Sequence, residues 1–290
     1  MATLAQWIEG ARPRTLPAAL APVMVGTAAA HAAGRAELGL AVLALLVALG
    51  FQVGVNYAND YSDGIRGTDD DRVGPVRLVG QGLAHPGDVK IAAYASFAVA
   101  CIAGLALVAL SNTLWLLLVG AAALWAAWNY TGGRSPYGYR GLGEVMVFVF
   151  FGLFAVLGTT YTQAHTLTLG AVGGAIGCGA LACAILVTNN LRDVATDRAA
   201  GKRTSAVRLG PTRTRHLYVG LVALAFVAVL LAAFAHPWAL LGLLALPLAL
   251  RPVRLVLSRA SGRALLPALA QTGLLQLGYA VALTLGLALS

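Results

Sequence analysis

The stretch Ala44-Leu45-Leu46-Val47-Ala48-Leu49-Gly50-Phe51-Gln52-Val53-Gly54-Val55-Asn56-Tyr57-Ala58-Asn59-Asp60-Tyr61-Ser62-Asp63 decides how this chain is read. Its first half is the interior of an apolar run over about 38–58, and its second half hangs polar residues from the end of that run. If the helix continues through them, Asn56, Asp60 and Asp63 fall at i, i+4 and i+7, on one face. The arrangement recurs after the apolar run at about 169–190, where Asn189 or Asn190, then Asp193 and Asp197, follow at similar steps within Asn189-Asn190-Leu191-Arg192-Asp193-Val194-Ala195-Thr196-Asp197. Carboxylates lined up at a membrane–water boundary repel one another and are costly to desolvate unless a cation sits between them. A divalent metal is the natural candidate.

Outward from these boxes, the 290 residues are 59% hydrophobic and only 11% charged, with a mean hydropathy of +0.79. That is a membrane composition. Apolar runs recur at about the 20-residue length that a bilayer core demands, and no ten-residue alternation of the kind a β-barrel needs is present. The expected fold is all-α and polytopic, a single membrane-embedded domain over 1–290. Nine spans are placed at about 15–33, 38–58, 92–111, 113–130, 143–162, 169–190, 216–235, 238–257 and 265–288. Cys101, Cys178 and Cys183 all lie inside these runs and read as small buried hydrophobes. The five histidines show no ligand spacing, and glycines such as Gly173 and Gly177 read as helix-packing positions.

The net charge of +9 would raise nucleic-acid binding in a soluble protein, but its distribution excludes that partner. With the N-terminus in the cytoplasm and the spans alternating, 19 of the 20 Lys and Arg residues lie on the cytoplasmic side, leaving Arg35 outside. Ten of the eleven acids lie there too, leaving Glu37 outside. Acids contribute little to orientation, so their concentration marks a working polar face. The expected location is the inner (cytoplasmic) membrane, multi-pass, with that face towards the cytoplasm and the lipid bilayer around the spans.

Magnesium takes oxygen ligands, usually one or two carboxylates together with substrate phosphates. Arg presents a planar fork to phosphate oxygens and Lys a point charge. Two acidic boxes with basic residues nearby therefore suit Mg2+ and a diphosphate ester, whose apolar remainder would lie among the helices.

Several segments give this reading a family. Ala11-Arg12-Pro13-Arg14-Thr15-Leu16-Pro17, Asn59-Asp60-Tyr61-Ser62-Asp63-Gly64 running on to Asp69, Arg72-Val73-Gly74-Pro75, Tyr139-Arg140-Gly141-Leu142-Gly143-Glu144, and the second box continuing into Gly201-Lys202-Arg203-Thr204 resemble the UbiA superfamily of intramembrane aromatic prenyltransferases nearly end to end. Within it they are most similar to the branch that acts on 1,4-dihydroxy-2-naphthoate in menaquinone synthesis. The resemblance implies about nine helices around a central cavity, two magnesium ions bridging the boxes to a polyprenyl diphosphate, and transfer to the naphthoate with decarboxylation. It assigns the metal to Asn56, Asp60, Asp63, Asn190, Asp193 and Asp197, with Asp69 as a further candidate and the four other carboxylates as catalytic residues. For the substrates it points to Arg66, Arg72, Tyr139, Arg140 and Lys202 beside the two asparagines, and to Arg12 or Arg14. Trp128 and Tyr130 are possible pocket walls.

Other readings are 4-hydroxybenzoate or haem prenylation within the same superfamily, and an ion-coupled secondary transporter. A transporter places its acids near mid-span, whereas these stand at span ends. A CDP-alcohol phosphotransferase is disfavoured because Asp63-Gly64-Ile65-Arg66-Gly67-Thr68 lacks the Asp-Gly-x-x-Ala-Arg opening.

Overall fold

Every apolar window folds as helix, and residues 2–68 and 76–290, those the computed structural model describes, contain no strand. The short α1 (Leu4–Gly10) turns through a 3₁₀ segment, Pro13–Thr15, into α2 (Pro17–Ala32) at a bend of 48°. Next come α3 (Leu38–Gly64), α4 (Pro86–Leu110) and α5 (Leu116–Asn129). One rod is then built from α6 (Gly143–Val147), a π-helical segment (Phe148–Phe154) and α7 (Ala155–Ala164). The long α8 (Leu169–Arg192) breaks at Asp193 into α9 (Val194–Ala199). After it run α10 (Ser205–Ala235), a 3₁₀ segment (Pro237–Ala245) leading into α11 (Leu246–Leu257), and α12 (Leu266–Ala288).

Among the described residues, seven of these rods are long and apolar enough to cross a bilayer, or eight if α1 and α2 count as one bent span. The chain is a multi-pass membrane protein. The fourth expected span shrinks to the 14 residues of α5, because the turn at Ser111–Thr113, with Asn112 in the left-handed region at φ 52°, delays its start.

Local sequence sets several helix ends. Thr168 caps α8 by accepting from the Ala171 amide at 3.1 Å, and the His85 ring caps α4 ahead of Pro86 at its first position. At the other end of α3, Gly64 has a structural reason to lack a side chain, since a Cβ there would meet Val79 at 2.4 Å. Its absence lets the chain fold back over the helix end, where Leu78 becomes fully buried.

The centre of the bundle is α8, whose span is 78% buried while no other exceeds 44%. It packs on α10, α12, α2 and the π segment, and the largest buried cluster, including Leu181, Tyr218, Phe226 and Tyr279, lies around it. A smaller cluster joins α3 to α4 through Tyr57, Leu78 and Phe97. Lipid tails are as apolar as these side chains, so association depends on close backbone approach and interhelical hydrogen bonds. Gly173 supplies such an approach: its Cβ would stand 2.7 Å from the Ala228 carbonyl oxygen and 2.9 Å from the Ala232 nitrogen.

Gly173→Leu should therefore cost about 1–3 kcal/mol through overpacking against backbone and lower the melting temperature of the detergent-solubilised protein. Gly220→Ala, where a Cβ meets nothing within 4 Å, should leave it unchanged. Equal melting of the two variants would overturn the packing role of α8.

Candidate active site

The polar end of α3 is organised by three inward turns of one helix. Asn56 donates to the Ala11 carbonyl at 2.9 Å and to Thr15 Oγ1 at 3.1 Å, so the bend between α1 and α2 is pinned to α3. Asn59 accepts from Thr131 Oγ1 at 2.7 Å, which brings in the loop after α5. One turn later, Asp63 accepts from the Tyr139 hydroxyl and pairs with Lys202 Nζ at 3.3 Å.

Lys202 joins the two acidic stretches. Its amide donates to the Asp197 carbonyl at 2.8 Å, so it belongs to the turn that follows the second box, while its ammonium reaches the first box. The same ammonium stands 4.6 Å from the centre of the Tyr139 ring, a cation–π geometry. Lys202 and Asp63 are both buried, and a buried charge is tolerated only when it is paired. Burial, with the Asp63 carboxylate adding to it, holds the Tyr139 phenol well above its ordinary pKa. The hydroxyl stays protonated and remains a donor.

Between the α3–α5 side and the α2–π–α8 side lies a cavity of about 1130 Å³. At one end it is walled by Asn56, Asn59, Asp63, Tyr139, Asn190, Asp197 and Lys202, with Arg12, Arg14, Arg77 and Arg192 beside them. Away from that end the wall is apolar, with Val47, Phe51, Leu117, Phe150, Phe151 and Phe154. Three of these phenylalanines belong to the π segment, whose wider turn places neighbouring side chains against the same space. A cavity with carboxylates and cations at one end and hydrocarbon along the rest suits a ligand with an anionic head and an apolar tail.

The profile of the UbiA prenyltransferase family matches residues 19–288. This chain is a member of the UbiA prenyltransferase family. A relative from Mycobacterium tuberculosis, 1,4-dihydroxy-2-naphthoate octaprenyltransferase, is 56% identical over 99% of this chain and 98% of its own length. The Escherichia coli protein of the same name is 40% identical over 92% of this chain and 89% of its own. Among solved structures, a UbiA homolog from Archaeoglobus fulgidus bound to GPP and Mg2+ aligns with a TM-score of 0.69, covering 98% of this chain and 100% of that one, at 16% identity. That similarity concerns the fold.

Set into the UbiA bundle, the expected site residues divide into those that face the cavity and those that stand behind it. Asn56, Asp63, Tyr139, Asn190, Asp197 and Lys202 are brought together on its wall. Asp60 and Asp193 are absent from that wall. The Asp60 carboxylate turns to the returning chain and accepts from the Leu78 and Val79 amides at 2.7 and 3.1 Å. That of Asp193 lies in a two-point contact with Arg192, at 2.6 and 2.7 Å. A step of four from Asn56 does not carry Asp60 inward, whereas steps of three and seven do so for Asn59 and Asp63.

Two expected substrate ligands also take other places. Arg66 donates to the carbonyls of Thr131 and Gly133, fastening the loop after α5, and is not part of the cavity wall. Arg140 is exposed: in the 3₁₀ turn Gly138–Arg140, successive side chains diverge by about a third of a turn, so an inward Tyr139 puts Arg140 outside. Asp69 and Arg72 lie outside the described residues. Of the pocket aromatics, Tyr130 lines the cavity, while Trp128 stacks on Tyr94 at 5.1 Å. Cys178 and Cys183 are buried as expected, and Cys101 is exposed on the cavity wall.

Sequence reasoning passed over Asn59, Arg77 and Glu144. Glu144 Oε1 accepts from Asn190 Nδ2 at 2.9 Å and from the Ser205 hydroxyl. This fixes the amide of Asn190 and leaves its carbonyl oxygen free for the cavity. The amide of Asn56 is fixed in the same sense by Ala11 and Thr15. No group of three or more His, Cys, Asp or Glu side chains gathers among the described residues. Asp63 and Asp197 with these amide oxygens are nonetheless an all-oxygen donor set, the kind that holds magnesium when substrate phosphates complete its shell.

Glu144→Ala frees the Asn190 amide, and kcat/KM for prenyl transfer should fall by about 10- to 100-fold, the usual effect of losing a residue that orients a ligand. Glu144→Gln keeps an oxygen acceptor and should stay much nearer wild type. Kinetics that fail to separate the two variants would remove the positioning role.

Proposed function

We propose that this protein transfers a polyprenyl group from polyprenyl diphosphate to 1,4-dihydroxy-2-naphthoate, with loss of the acceptor's carboxylate, to give demethylmenaquinol and, after oxidation, demethylmenaquinone. The observation that carries the reading is the two-ended cavity, which joins Asp63, Asp197 and Lys202 to a long apolar wall. The full-length similarity to relatives named for this substrate supports the choice of acceptor.

Magnesium, held by Asp63 and Asp197 with the carbonyl oxygens of Asn56 and Asn190, would neutralise charge growing on the leaving diphosphate. Lys202 adds a point charge at the same end, and Arg12, Arg14 and Arg77 stand on the neighbouring wall. As the allylic carbon–oxygen bond breaks, these cations stabilise the departing oxygen and leave a carbocation at the carbon. The electron-rich naphthoate ring then attacks that carbon, and the displaced carboxylate leaves as carbon dioxide. Tyr139, kept protonated, donates its hydroxyl to Asp63 and holds that carboxylate in place on the cavity wall. Phe150, Phe151 and Phe154 hold the prenyl chain and exclude the water that would quench the cation.

Asp63→Ala and Asp197→Ala should each lower the rate by about 100-fold or more, and wild type should lose activity on removal of Mg2+. The decisive measurement offers purified protein a labelled polyprenyl diphosphate with 1,4-dihydroxy-2-naphthoate or 4-hydroxybenzoate. Preference for 4-hydroxybenzoate would sink the acceptor assignment and leave the family membership untouched.

The charge asymmetry further supports placement in the inner membrane with the acidic end facing the cytoplasm. In a cysteine-free background, Ala199→Cys should react with an impermeant thiol reagent only from the cytoplasmic side and Thr166→Cys only from the opposite side. The reverse pattern would invert the topology.

A further inference from the structure

From Arg198 to Ser290 the chain carries ten Lys and Arg residues and neither Asp nor Glu. Two of these arginines share one small site away from the cavity. A pocket of about 480 Å³ is lined by Pro211, Thr212, Arg215, His216, Leu257 and Arg259. Arg215 is 9% exposed, and its guanidinium donates to the carbonyls of Val256 and Ala260, the latter at 2.8 Å. Those bonds close the C-terminal end of α11, but carbonyl oxygens carry no formal charge and leave the cation uncompensated. The Arg259 charge is close enough to oppose that of Arg215, and Arg259 holds a left-handed backbone at φ 63°, which is unfavourable for an arginine. Gly210, at φ 75° and ψ 163°, interrupts α10, so a new helical segment begins at Pro211 with its positive end at the same place. Two mutually repelling arginines, a histidine, a hydroxyl and a helix start thus converge where no acidic residue of this part of the chain is available.

We infer that this pocket binds a phosphate group, and that in the bilayer the group is the headgroup phosphate of an anionic phospholipid. The location favours a lipid over a free anion. The pocket sits where α10 enters and α11 leaves the membrane-spanning region, and Leu257 on its wall is 45% exposed, as an acyl-chain contact would be. A phosphodiester oxygen between Arg215 and Arg259 would relieve their repulsion and make charge-assisted hydrogen bonds. An anionic lipid would therefore hold the α10–α11 junction together without touching the catalytic cavity, so the inference stands independently of the acceptor.

The test uses the purified full-length protein in mild detergent, with phosphatidylglycerol, phosphatidylcholine and inorganic phosphate as probes. Native mass spectrometry reads retained lipid, and thermal melting reads stabilisation. Wild type should retain phosphatidylglycerol over phosphatidylcholine and melt higher with it. Arg259→Gln should weaken that binding by about tenfold or more, whereas Arg251→Gln, an exposed arginine outside the pocket, should keep it. Arg215 is left intact because it closes α11, and Thr212→Val serves as a second pocket variant expected to weaken binding less than Arg259→Gln. Indifference to millimolar phosphate assigns the site to lipid, while displacement of phosphatidylglycerol by phosphate, lost in Arg259→Gln, assigns the same phosphate site to the free anion. Equal weakening by Arg259→Gln and Arg251→Gln would reduce the effect to general surface charge and overturn the proposal. Absence of any preference for phosphatidylglycerol in wild type would do the same.

Discussion

Four carboxylates, Asp60, Asp63, Asp193 and Asp197, are buried at one end of an apolar bundle, and the folding of that end is the answer to their charge. An isolated carboxylate in such surroundings would be neutralised or would prevent folding. Each is met by a partner from elsewhere in sequence or by its own turn: backbone amides for Asp60, Tyr139 and Lys202 for Asp63, Arg192 for Asp193, and the Thr204 hydroxyl for Asp197 at 3.3 Å. Because partners come from three loops as well as from the end of α8, charge compensation also fixes loop positions. The Arg203 amide donating to the Tyr139 carbonyl at 2.8 Å ties two of these loops directly. Removing one acid therefore disturbs loop packing as well as chemistry.

The same logic separates two classes of acid that look alike in the sequence. Asp60 and Asp193 face contacts of the fold, one accepting from the returning chain and the other in a two-point ion pair with Arg192, itself on the cavity wall. Asp63 and Asp197 keep their place on the cavity, held by groups that a stronger cation can replace. Lys202 is such a group: its ammonium already sits against Asp63 and beside the turn of Asp197, so electrostatic relief is present before any ligand arrives. Magnesium held by Asp63 and Asp197 would supply a stronger balancing charge, and the Lys202 ammonium would then be available to a phosphate oxygen.

The helices were legible because a bilayer imposes length and apolarity, and both are visible in a single chain. The end of the molecule on which chemistry gathers was legible for a related reason, since both acidic boxes close long apolar runs in the sequence. What could not be read was direction within that end. The choice between Asn59 and Asp60 as the inward residue depends on how the chain returns at Leu78 and Val79, and Gly64 permits that return through a contact invisible in linear order. Arg66 and Arg140 have the chemistry of phosphate ligands, yet one is taken by carbonyls of the loop after α5 and the other is turned out by a 3₁₀ turn. Glu144 stood within a segment that signalled the family, but its service to Asn190 across the bundle carries no local sequence mark.

The cavity's two flanks are built on opposite principles, and this bears on what it can admit. On one flank α8 is clamped by glycine contacts to backbone on several sides, so a change in ligand shape cannot be met there by movement of a helix. On the other, α5 has 14 residues, or about 21 Å at the usual rise per residue, against a hydrocarbon core of about 30 Å. It packs only on α3 and α4 among the elements with substantial contacts, and Leu117 and Leu118 on it are exposed at 43% and 77%. A short helix with few partners has low resistance to displacement. The carboxylate end, where atoms must be placed closely, is thus supported by the rigid flank and by charge-paired loops, while the apolar part of the cavity runs between the phenylalanines of the π segment and the short α5. The polar end of the cavity is therefore fixed by more contacts than its apolar wall along α5.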